Sequence, residues 1–393
     1  MRIAYLLRFW PNFGGGETVT RVLANEFCRR GHFVAVYYLW DRSGGVDVEV
    51  DGRISARKAL GISDFSNDGV IKKRDYGRIQ KQFRDFIKQD KIDIVINQWI
   101  PPDLCAKIVK KLGVRLITCN HGMIKYVPAY YKSLKEKVFY KVFGDNAGFL
   151  RIYFKYKPGV LKSDRYVCLC QPYVEDIKRL YKVNDNEKVL AIANPCAYRN
   201  VPASVMERKE KEIVYVGRVI DIKRVSLLLD AWKFLEDRRL VAGWRFSIVG
   251  EGPDLESCKA HAAALGCKRV SFEGFKEPKE YYERASVFVF ASCQEGWGLV
   301  LVEAQMHGCV PVVMNSSPCF KYIIQNGQNG FLVEEKDVDA FAGVVYKLIT
   351  DEPLRKKMAS NAMKSSKQYL ASNIAVEWEN LFDEVMRPTS LSR

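Results

Sequence analysis

The sequence EGWGLVLVE at residues 295–303 follows VFVFA at 287–291, which has the length and composition of a buried β-strand. Residues 299–307 are predicted to form a helix. A strand, a glycine-containing turn and a helix in this order place unpaired backbone N–H groups at the edge of a sheet. Glu295 lies in the turn and Glu303 in the helix, and carboxylates accept hydrogen bonds from adjacent hydroxyls. The element therefore suits a ligand with a phosphate and a sugar, although two unrelated surface glutamates explain the pair equally well.

Length and composition bound the class of protein. The chain has 393 residues, more than one core ordinarily holds, so two domains are expected. The net charge of +16 indicates an anionic partner, for which nucleic acid, an anionic membrane and a phosphorylated substrate all qualify. The eleven cysteines lack CxxC spacing, which is typical of reduced thiols in a cytosolic protein. We find no signal peptide and no apolar run of roughly 18–20 residues, so a soluble or peripheral protein is expected.

Strands and helices are predicted to alternate along both halves of the chain. In the first half the predicted strands lie at 3–7, 33–39, 92–97, 114–119, 166–169 and 189–193. In the second half they lie at 213–216, 246–249, 270–272, 287–291 and 310–313. Such alternation predicts an α/β fold with two Rossmann-like, doubly wound domains that leave a cleft between them. Residues 46–75 carry no clear pattern and receive no assignment.

The domain boundaries follow from a polar, linker-like stretch at 199–211. We expect an N-terminal domain at 1–198, a C-terminal domain at 199–368 and a terminal helix within 369–393. The apolar residues of that helix share one face: Ile374, Trp378, Leu381, Phe382 and Val385. We expect this stripe to pack back on the N-terminal domain.

Two features of the first half point to ligand binding. Three glycines at 14–16, between the first strand and the first helix, let a phosphate or sugar approach the backbone closely. His121 follows the strand at 114–119 and therefore lies at the carboxyl edge of the sheet, where open α/β sheets bind ligands. A flexible turn and a loop-stabilising histidine are the plain alternatives.

Residues 130–157 mix lysines and one arginine with tyrosines and phenylalanines, opposed only by Glu136 and Asp145. This mixture favours contact with anionic lipid headgroups. A pair of surface helices with core-facing aromatic residues is an equal alternative. Since no RNA- or DNA-binding motif accompanies the charge, nucleic acid is not an expected partner.

The second half places further groups at strand ends. Gly217 and Arg218 close one predicted strand, and Lys223 follows at the expected start of a helix. Two cations at a helix N-terminus oppose the helix dipole, which is a reason to expect a bound anion there. The sequences GEGP at 250–253 and GF at 274–275 close the next two strands, where a nucleobase fits against backbone groups.

Together these motifs resemble the retaining glycosyltransferases of family 4, which have the GT-B fold. The matching motifs are GGGE at 14–17, HG at 121–122, VGR at 216–218 with Lys223, GEGP, GF and the two glutamates separated by seven residues. The resemblance extends over the whole chain and is stronger in the second half. It identifies a fold and a reaction type, of the kind found in bacterial surface-polysaccharide and lipopolysaccharide biosynthesis.

The resemblance implies a role for each matching residue. Arg218 and Lys223 would bind the donor diphosphate, Glu295 the donor sugar and Glu303 the nucleotide ribose, while His121 would lie near the anomeric carbon. The remaining donor-binding positions would be Gly15, Gly16, Gly217, Gly250, Phe275, Gly296, Trp297, Gly298, Leu299 and Val300. The first domain would bind the acceptor and the second the nucleotide sugar, with UDP or GDP as the nucleotide.

The resemblance also implies front-face transfer with retention of configuration and without a metal, because the two cations would neutralise the leaving phosphate. Two departures from the family pattern are a tryptophan at 297, expected to narrow the donor pocket, and NSSPC at 315–319 in place of a glycine-rich stretch.

Three functions remain open on the sequence. The first is a glycosyltransferase that extends a lipid-linked saccharide at the cytoplasmic face of the cell membrane. The second is a soluble transferase of small-molecule or storage-glucan metabolism. The third is a nucleotide-sugar-binding module without turnover.

Overall fold

The computed structural model describes residues 1–11, 14–41, 49–64, 71–123 and 145–387, without the side chains of residues 145–152 and 155. The chain divides into two compact units, Met1–Pro195 with Ala371–Arg393, and Cys196–Leu370. The sequence places these divisions at 198/199 and 368/369. None of the helices in the described ranges has the length and apolar character needed to cross a membrane.

The first unit is built on a seven-stranded sheet in which every described pairing is parallel. The strands are β1 Arg2–Leu6, β2 Phe33–Tyr38, β3 Ser55–Lys58, β4 Ile94–Asn97, β5 Arg115–Cys119, β6 Arg165–Cys168 and β7 Val189–Ala191. Their order is β3-β2-β1-β4-β5-β6-β7. The inner strands are buried except at their ends, because helices cover both faces of a parallel sheet.

The helices described in the first unit are α1 Gly15–Arg29, α2 Tyr76–Gln89, α3 Pro102–Val109, α4 Asp145–Lys162, α5 Gln171–Tyr181 and the C-terminal α13 Ala371–Met386. Ile79, Phe83 and Ile87 of α2, at helical spacing, join the core beneath β2 and β4. This pattern is why the polar stretch around them still folds as a helix.

The C-terminal helix α13 packs against α1. The rings of Phe27 and Phe382 lie 5.4 Å apart, and Arg30 Nη2 is 2.6 Å from Glu379 Oε2. The Arg30 guanidinium lowers the pKa of Glu379 to about 2. All five residues of the predicted apolar stripe are buried, so the prediction that this helix returns to the first domain is confirmed.

The second unit has a six-stranded sheet with the order β10-β9-β8-β11-β12-β13, again parallel throughout its described pairings. Its strands are β8 Glu210–Val216, β9 Arg245–Val249, β10 Val270–Gly274, β11 Ala285–Phe290, β12 Val310–Met314 and β13 Phe331–Val333. Its helices are α6 Val225–Asp237, α7 Leu255–Leu265, α8 Lys279–Arg284, α9 Leu299–Met306, α10 Phe320–Ile323, α11 Val338–Thr350 and α12 Glu352–Ser366. Two parallel, Rossmann-like sheets confirm the predicted fold class.

Four of the elements described differ from the sequence prediction. The predicted linker contains the 3-10 turn Ala203–Arg208, and β8 already begins at Glu210. The unassigned stretch contains β3, an edge strand without an apolar pattern because its residues are only partly buried. The strand β13 has three residues and is too short for periodicity to reveal it.

Two glycine turns at the carboxyl edge of the second sheet approach each other so closely that side chains are excluded. A Cβ atom on Gly250 would lie 1.9 Å from the carbonyl oxygen of Gly217, and one on Gly252 would lie 2.0 Å from that of Val219. Gly250 also has a φ of 143°, which side chains rarely adopt. These contacts involve backbone on both sides, so no side chain can move to relieve them.

We therefore expect Gly250→Ala to lower the free energy of unfolding of the second unit by about 2 kcal/mol or more. Gly343→Ala is the matched control, because Gly343 lies in α11 with no atom within 4 Å of its added Cβ. There we expect a gain of roughly 0.5–1 kcal/mol. Urea unfolding of both variants tests this, and equal stabilities would contradict the close approach.

Candidate functional site

Three glycine turns of the second unit adjoin at the carboxyl ends of β8, β9 and β10. The N–H of Gly217 donates to the carbonyl of Val249 at 3.0 Å, and that of Gly250 to the carbonyl of Gly274 at 2.8 Å. The turns therefore form one continuous backbone surface without side chains at its closest points. A flat ligand group can approach such a surface more closely than it can approach side chains.

Arg218 and Phe275 are among the exposed side chains that border this surface. Arg218 is exposed directly after Gly217, and its carbonyl accepts a hydrogen bond from the Tyr215 hydroxyl at 3.0 Å. Phe275 follows Gly274 with 57% of its surface exposed. An exposed guanidinium and an exposed ring beside accessible backbone suit an anionic ligand that carries an aromatic base.

Lys223 lies in a 3-10 turn, Asp221–Lys223, rather than in the first turn of the helix, which begins at Val225. The turn is fastened to the loop after β11, because the carbonyl of Ile222 accepts hydrogen bonds from the N–H of Cys293 at 2.8 Å and from Ser292 Oγ at 3.2 Å. Strand order explains this contact, since β8 and β11 are neighbours in the sheet.

The ammonium group of Lys223 forms an ion pair with Glu295 Oε1. The two side chains are only 18% and 14% exposed, so the pair is mostly screened from water. Lys223 Nζ also lies 5.5 Å from the centre of the Phe290 ring. A cation that can bind phosphate and a carboxylate that can bind hydroxyls thus lie in contact at the carboxyl edge of the sheet.

Side chains of the stretch that follows β12 form hydrogen bonds to the backbone of the loop that carries Glu295. Ser317 Oγ donates to the Glu295 carbonyl at 3.0 Å, and the Cys319 thiol donates to the Trp297 carbonyl at 3.3 Å. The sequence prediction noted the unusual composition of residues 315–319 but missed these contacts. Serine and cysteine side chains beside a turn were the available signal, since they readily bond to backbone groups.

The helix α9 begins directly after this loop. Gly298 is its N-cap with a φ of 92°, and a Cβ there would lie 3.0 Å from Leu301 Cδ1. Leu299 and Val300 form the first turn, where N–H groups have no intrahelical acceptor. Gly296 and Gly298 flank Trp297, which is 3% exposed and packs edge-on against Tyr369 with ring centres 5.4 Å apart.

Glu303 lies within α9 and is 9% exposed. Its Oε2 accepts a hydrogen bond from the hydroxyl of Tyr282 at 3.2 Å. Its carbonyl accepts a hydrogen bond from Nδ1 of the buried His307 at 2.8 Å. The sequence prediction missed Tyr282 and His307, because nothing local links either residue to a glutamate on another helix.

In the first unit, the candidate residues meet at Trp99, which follows β4. A Cβ on Gly16 would lie 2.4 Å from Trp99 Nε1, so the start of α1 packs directly on the indole. The His121 ring stacks on Trp99 with centres 5.4 Å apart, and its Nε2 is hydrogen-bonded to Gln98 Oε1. Gly15 precedes Gly16 at the first position of α1. The sequence prediction missed Trp99 and Gln98.

His121 is electrically neutral at physiological pH, since burial lowers its pKa to about 4. Within the described residues its Nδ1 has no hydrogen-bond partner. The side chain can therefore exchange a hydrogen bond with a ligand but brings no charge.

The basic aromatic stretch is described only in part. Residues 130–144 lie outside the described residues, and α4 covers 145–162. On α4, Tyr153 packs against Tyr181 of α5 with ring centres 5.1 Å apart, whereas Phe154 and Leu161 are 65% and 55% exposed. The described part thus contains both core-facing and exposed apolar residues.

One Asp-x-Asp triplet, the spacing used by many metal-dependent transferases, occurs at residues 337–339. Asp337 caps α11 by accepting a hydrogen bond from the Ala340 N–H at 2.9 Å. Over the ranges that the structure covers, there is no cluster of three or more His, Cys, Asp and Glu side chains that could hold a metal ion.

Comparison with known proteins gives two family matches. The model described as "Glycosyltransferase Family 4" matches residues 13–196, and "Glycosyl transferases group 1" matches residues 199–365. Together they cover most of the chain.

Individual relatives match over nearly their full length. An uncharacterized glycosyltransferase of Haemophilus influenzae is 26% identical over 97% of this chain and 99% of its own. A Campylobacter jejuni α-1,4-N-acetyl-D-galactosaminyltransferase, named for a GalNAc-GalNAc-diNAcBac-PP-undecaprenol acceptor, is 25% identical over 98% of this chain and 99% of its own. Among solved structures, S. aureus TarM in complex with UDP, fondaparinux and α-GlcNAc-glycerol superposes with a TM-score of 0.75, at 15% identity over 98% and 100% of the two chains.

The low pKa of His121 predicts a dependence of stability on pH. In the unfolded chain, the pKa of the His121 imidazole is about 6.5. As the pH falls from about 6.5 to about 4, the unfolded chain binds a proton that the folded chain does not, so the free energy of unfolding falls. We expect His121→Gln, which retains a donor to Gln98, to flatten this decline.

The measurement is urea unfolding of both proteins at pH 7 and pH 5. His307, whose pKa burial also lowers, is present in both proteins and cancels in the comparison. An equal loss of stability in wild type and variant would contradict a neutral His121 with a lowered pKa.

Proposed function

Since the chain belongs to family 4 of the glycosyltransferases, we propose that it transfers a hexose-type sugar from a nucleotide-diphosphate sugar, with UDP or GDP, to a saccharide acceptor with retention of configuration. The UDP bound in the TarM complex supports a nucleotide-sugar donor. The α linkage in the name of the Campylobacter enzyme supports retention, because common nucleotide hexoses are α-linked.

The observation that carries this proposal is the contact between Lys223 and Glu295. A binding site for a sugar diphosphate needs a cation for the phosphates and an acceptor for the sugar hydroxyls within a few ångströms of each other. The ion pair supplies both groups at the carboxyl edge of a Rossmann-like sheet, beside the N-terminus of α9. The two groups neutralise each other without ligand, so both can be held mostly buried.

We assign the ends of the donor as follows. Arg218 and Lys223 bind the diphosphate, together with the N–H groups from Gly296 to Val300, and Glu295 binds the sugar. Glu303 binds the ribose, and the base lies on the backbone at Gly217 and Gly250 beside Phe275. In this proposal the two cations neutralise the leaving group, and no metal takes part.

The proposed reaction is a front-face substitution. The bond from the anomeric carbon to the phosphate oxygen breaks, and the bond from the acceptor oxygen to that carbon forms on the same face. The acceptor proton passes to the departing phosphate oxygen. Positive charge on the sugar ring and negative charge on the phosphate both develop in the transition state. Glu295 and Lys223 are mostly buried, so their charges are held in place and stabilise the transition state with little reorganisation.

We assign the acceptor to the first unit. Gly15 is exposed at the start of α1, so a diphosphate and an acceptor can approach the backbone there. Gly16 is instead buried against Trp99, so its missing side chain leaves room for the indole and not for the ligand. A neutral His121 contributes a hydrogen bond near the anomeric carbon and adds no charge that would oppose an oxocarbenium-like sugar.

We further propose that the acceptor is lipid-linked and belongs to bacterial surface-polysaccharide synthesis at the cytoplasmic face of the membrane. The acceptor in the name of the Campylobacter relative, an undecaprenol diphosphate saccharide, supports this. The exposed Phe154 and Leu161 of α4 lie seven positions apart and thus on one helix face, beside Lys157. Apolar residues flanked by lysine suit the surface of an anionic membrane.

Nucleotide binding and turnover give the first test. We expect UDP or GDP at a hundredfold excess over its Kd to stabilise the protein by about 2.7 kcal/mol, visible as a higher melting temperature. Glu295→Gln should keep most of this shift and reduce transfer about 100-fold or more, because charge stabilisation is lost while the shape is kept.

The matched control is Glu335→Gln, which removes the neighbouring ion pair with Arg224, 2.6 Å long, from the same unit. This variant should transfer at the wild-type rate. A wild type that responds to no nucleoside diphosphate would refute the proposal, and binding without transfer to any acceptor would favour a binding module.

Membrane association gives the second test. We expect replacement of Phe154 and Leu161 by serine to reduce co-flotation with phosphatidylglycerol vesicles several-fold, because the two side chains lose apolar contact with lipid. The control is Leu60→Ser, since Leu60 is 68% exposed on a different element of the same unit. Equal flotation of all three proteins would exclude α4 as the membrane contact, and no flotation of wild type would refute membrane association.

A further inference from the structure

Tyr282 contacts a residue of the proposed donor site from inside the protein. It lies on α8, its side chain is fully buried, and its hydroxyl donates to Glu303 Oε2 at 3.2 Å. Glu303 retains 9% exposure. The tyrosine thus approaches the carboxylate from the interior, and a ligand that reaches Glu303 from solvent would not touch Tyr282.

The backbone of Tyr282 is fixed by two other side chains. Lys209 Nζ donates to the carbonyls of Tyr282 at 2.6 Å and of Ala285 at 2.7 Å. The Cys309 Sγ lies 3.2 Å from the oxygens of the same two carbonyls, and its one S–H can donate to either of them. Because Cys309 follows the end of α9, these bonds fasten α8 to the helix that carries Glu303.

The ring of Tyr282 is fixed as well. It stacks on the ring of His307 with centres 5.5 Å apart. Tyr198 packs edge-on against the same His307 ring, with centres 4.5 Å apart. His307 in turn donates to the Glu303 carbonyl at 2.8 Å. Backbone and ring contacts therefore leave the hydroxyl of Tyr282 little freedom relative to Glu303.

The hydroxyl remains protonated. Burial, followed by the charge of Glu303, raises the pKa of Tyr282 well above its ordinary value. A protonated phenol next to a carboxylate is a donor, and hydrogen bonds to charged acceptors are among the stronger ones in proteins.

We propose that Tyr282 is a positioning residue that fixes the rotamer of Glu303, and thereby sets how strongly the enzyme distinguishes the ribose hydroxyls of its donor nucleotide. The inference rests on the proposed function, in which Glu303 binds the ribose. A glutamate side chain has three rotatable bonds, and a carboxylate held in place before binding loses less freedom when it accepts the ribose hydroxyls.

The alternative is that Tyr282 only fills the core. Both roles predict a lower melting temperature for Tyr282→Phe, so stability does not separate them. The ratio of affinities for a ribonucleotide and its 2′-deoxy counterpart does separate them, because only a change at the ribose contact alters it.

The experiment measures Kd by calorimetry for UDP and 2′-deoxy-UDP, or for GDP and 2′-deoxy-GDP, whichever ribonucleotide wild type binds. We expect wild type to prefer the ribonucleotide at least tenfold. Y282F should reduce this preference at least threefold through weaker ribonucleotide binding, and raise the donor KM with little change in kcat. The control is Y281F on the same helix, since the Tyr281 hydroxyl donates to Glu273 at 2.7 Å; it should keep the wild-type preference.

The outcomes separate the inference from the proposed function. If wild type prefers the ribonucleotide and Y282F shows the same preference, the inference is wrong and the proposed function stands. A wild type that binds neither ribonucleotide overturns the proposed function and the inference with it. E303D tests the ribose contact itself if Y282F does not fold, because its carboxylate is one methylene shorter. An unchanged preference in E303D would show that Glu303 does not bind the ribose, which overturns that assignment and the inference together.

Discussion

The parallel direction of the strands is the constraint on which the proposed site depends. In a parallel sheet every strand ends at the same edge, so turns that are distant in sequence become neighbours there. In the second unit this edge gathers the glycine turns after β8, β9 and β10 and the loop after β11. The exclusion of any side chain at Gly250 by the Gly217 carbonyl follows from the same convergence. Backbone then forms the surface, and the few side chains at its rim supply the charge.

The two mostly buried charges at this edge stabilise each other as an ion pair. Lys223 and Glu295 are both mostly buried, and a buried charge is tolerated only when it is paired or hydrogen-bonded. In the proposed reaction the donor brings a negative diphosphate to the lysine and hydroxyl donors to the glutamate. The ligand then replaces, group by group, the interaction that each side chain makes without it. The ion pair is thus compatible with a site that is folded before the donor arrives.

The residues around the site are supported by groups that sequence motifs do not contain. Ser317 and Cys319 bond to the carbonyls of the Glu295 loop, Ser292 bonds to the turn of Lys223, and Tyr282 bonds to Glu303. Each support comes from a neighbouring strand end or helix. Side chains that bind a ligand need such support. If a carboxylate is free to rotate before binding, its loss of conformational entropy on binding weakens the affinity.

The sequence by itself determined the alternation of strands and helices, the glycine turns, the apolar stripe of α13 and the spacing of Glu295 and Glu303. Each of these features depends only on the types and spacing of residues within a short segment of the chain. It did not reveal β3 or β13, which are too exposed or too short to leave such a pattern. Only the tertiary structure decided that Lys223 contacts Glu295 across 72 positions, that Tyr282 reaches Glu303, and that Trp99 lies between Gly16 and His121. These contacts depend on strand order and on the packing of helices against the sheet, which no local window of sequence contains.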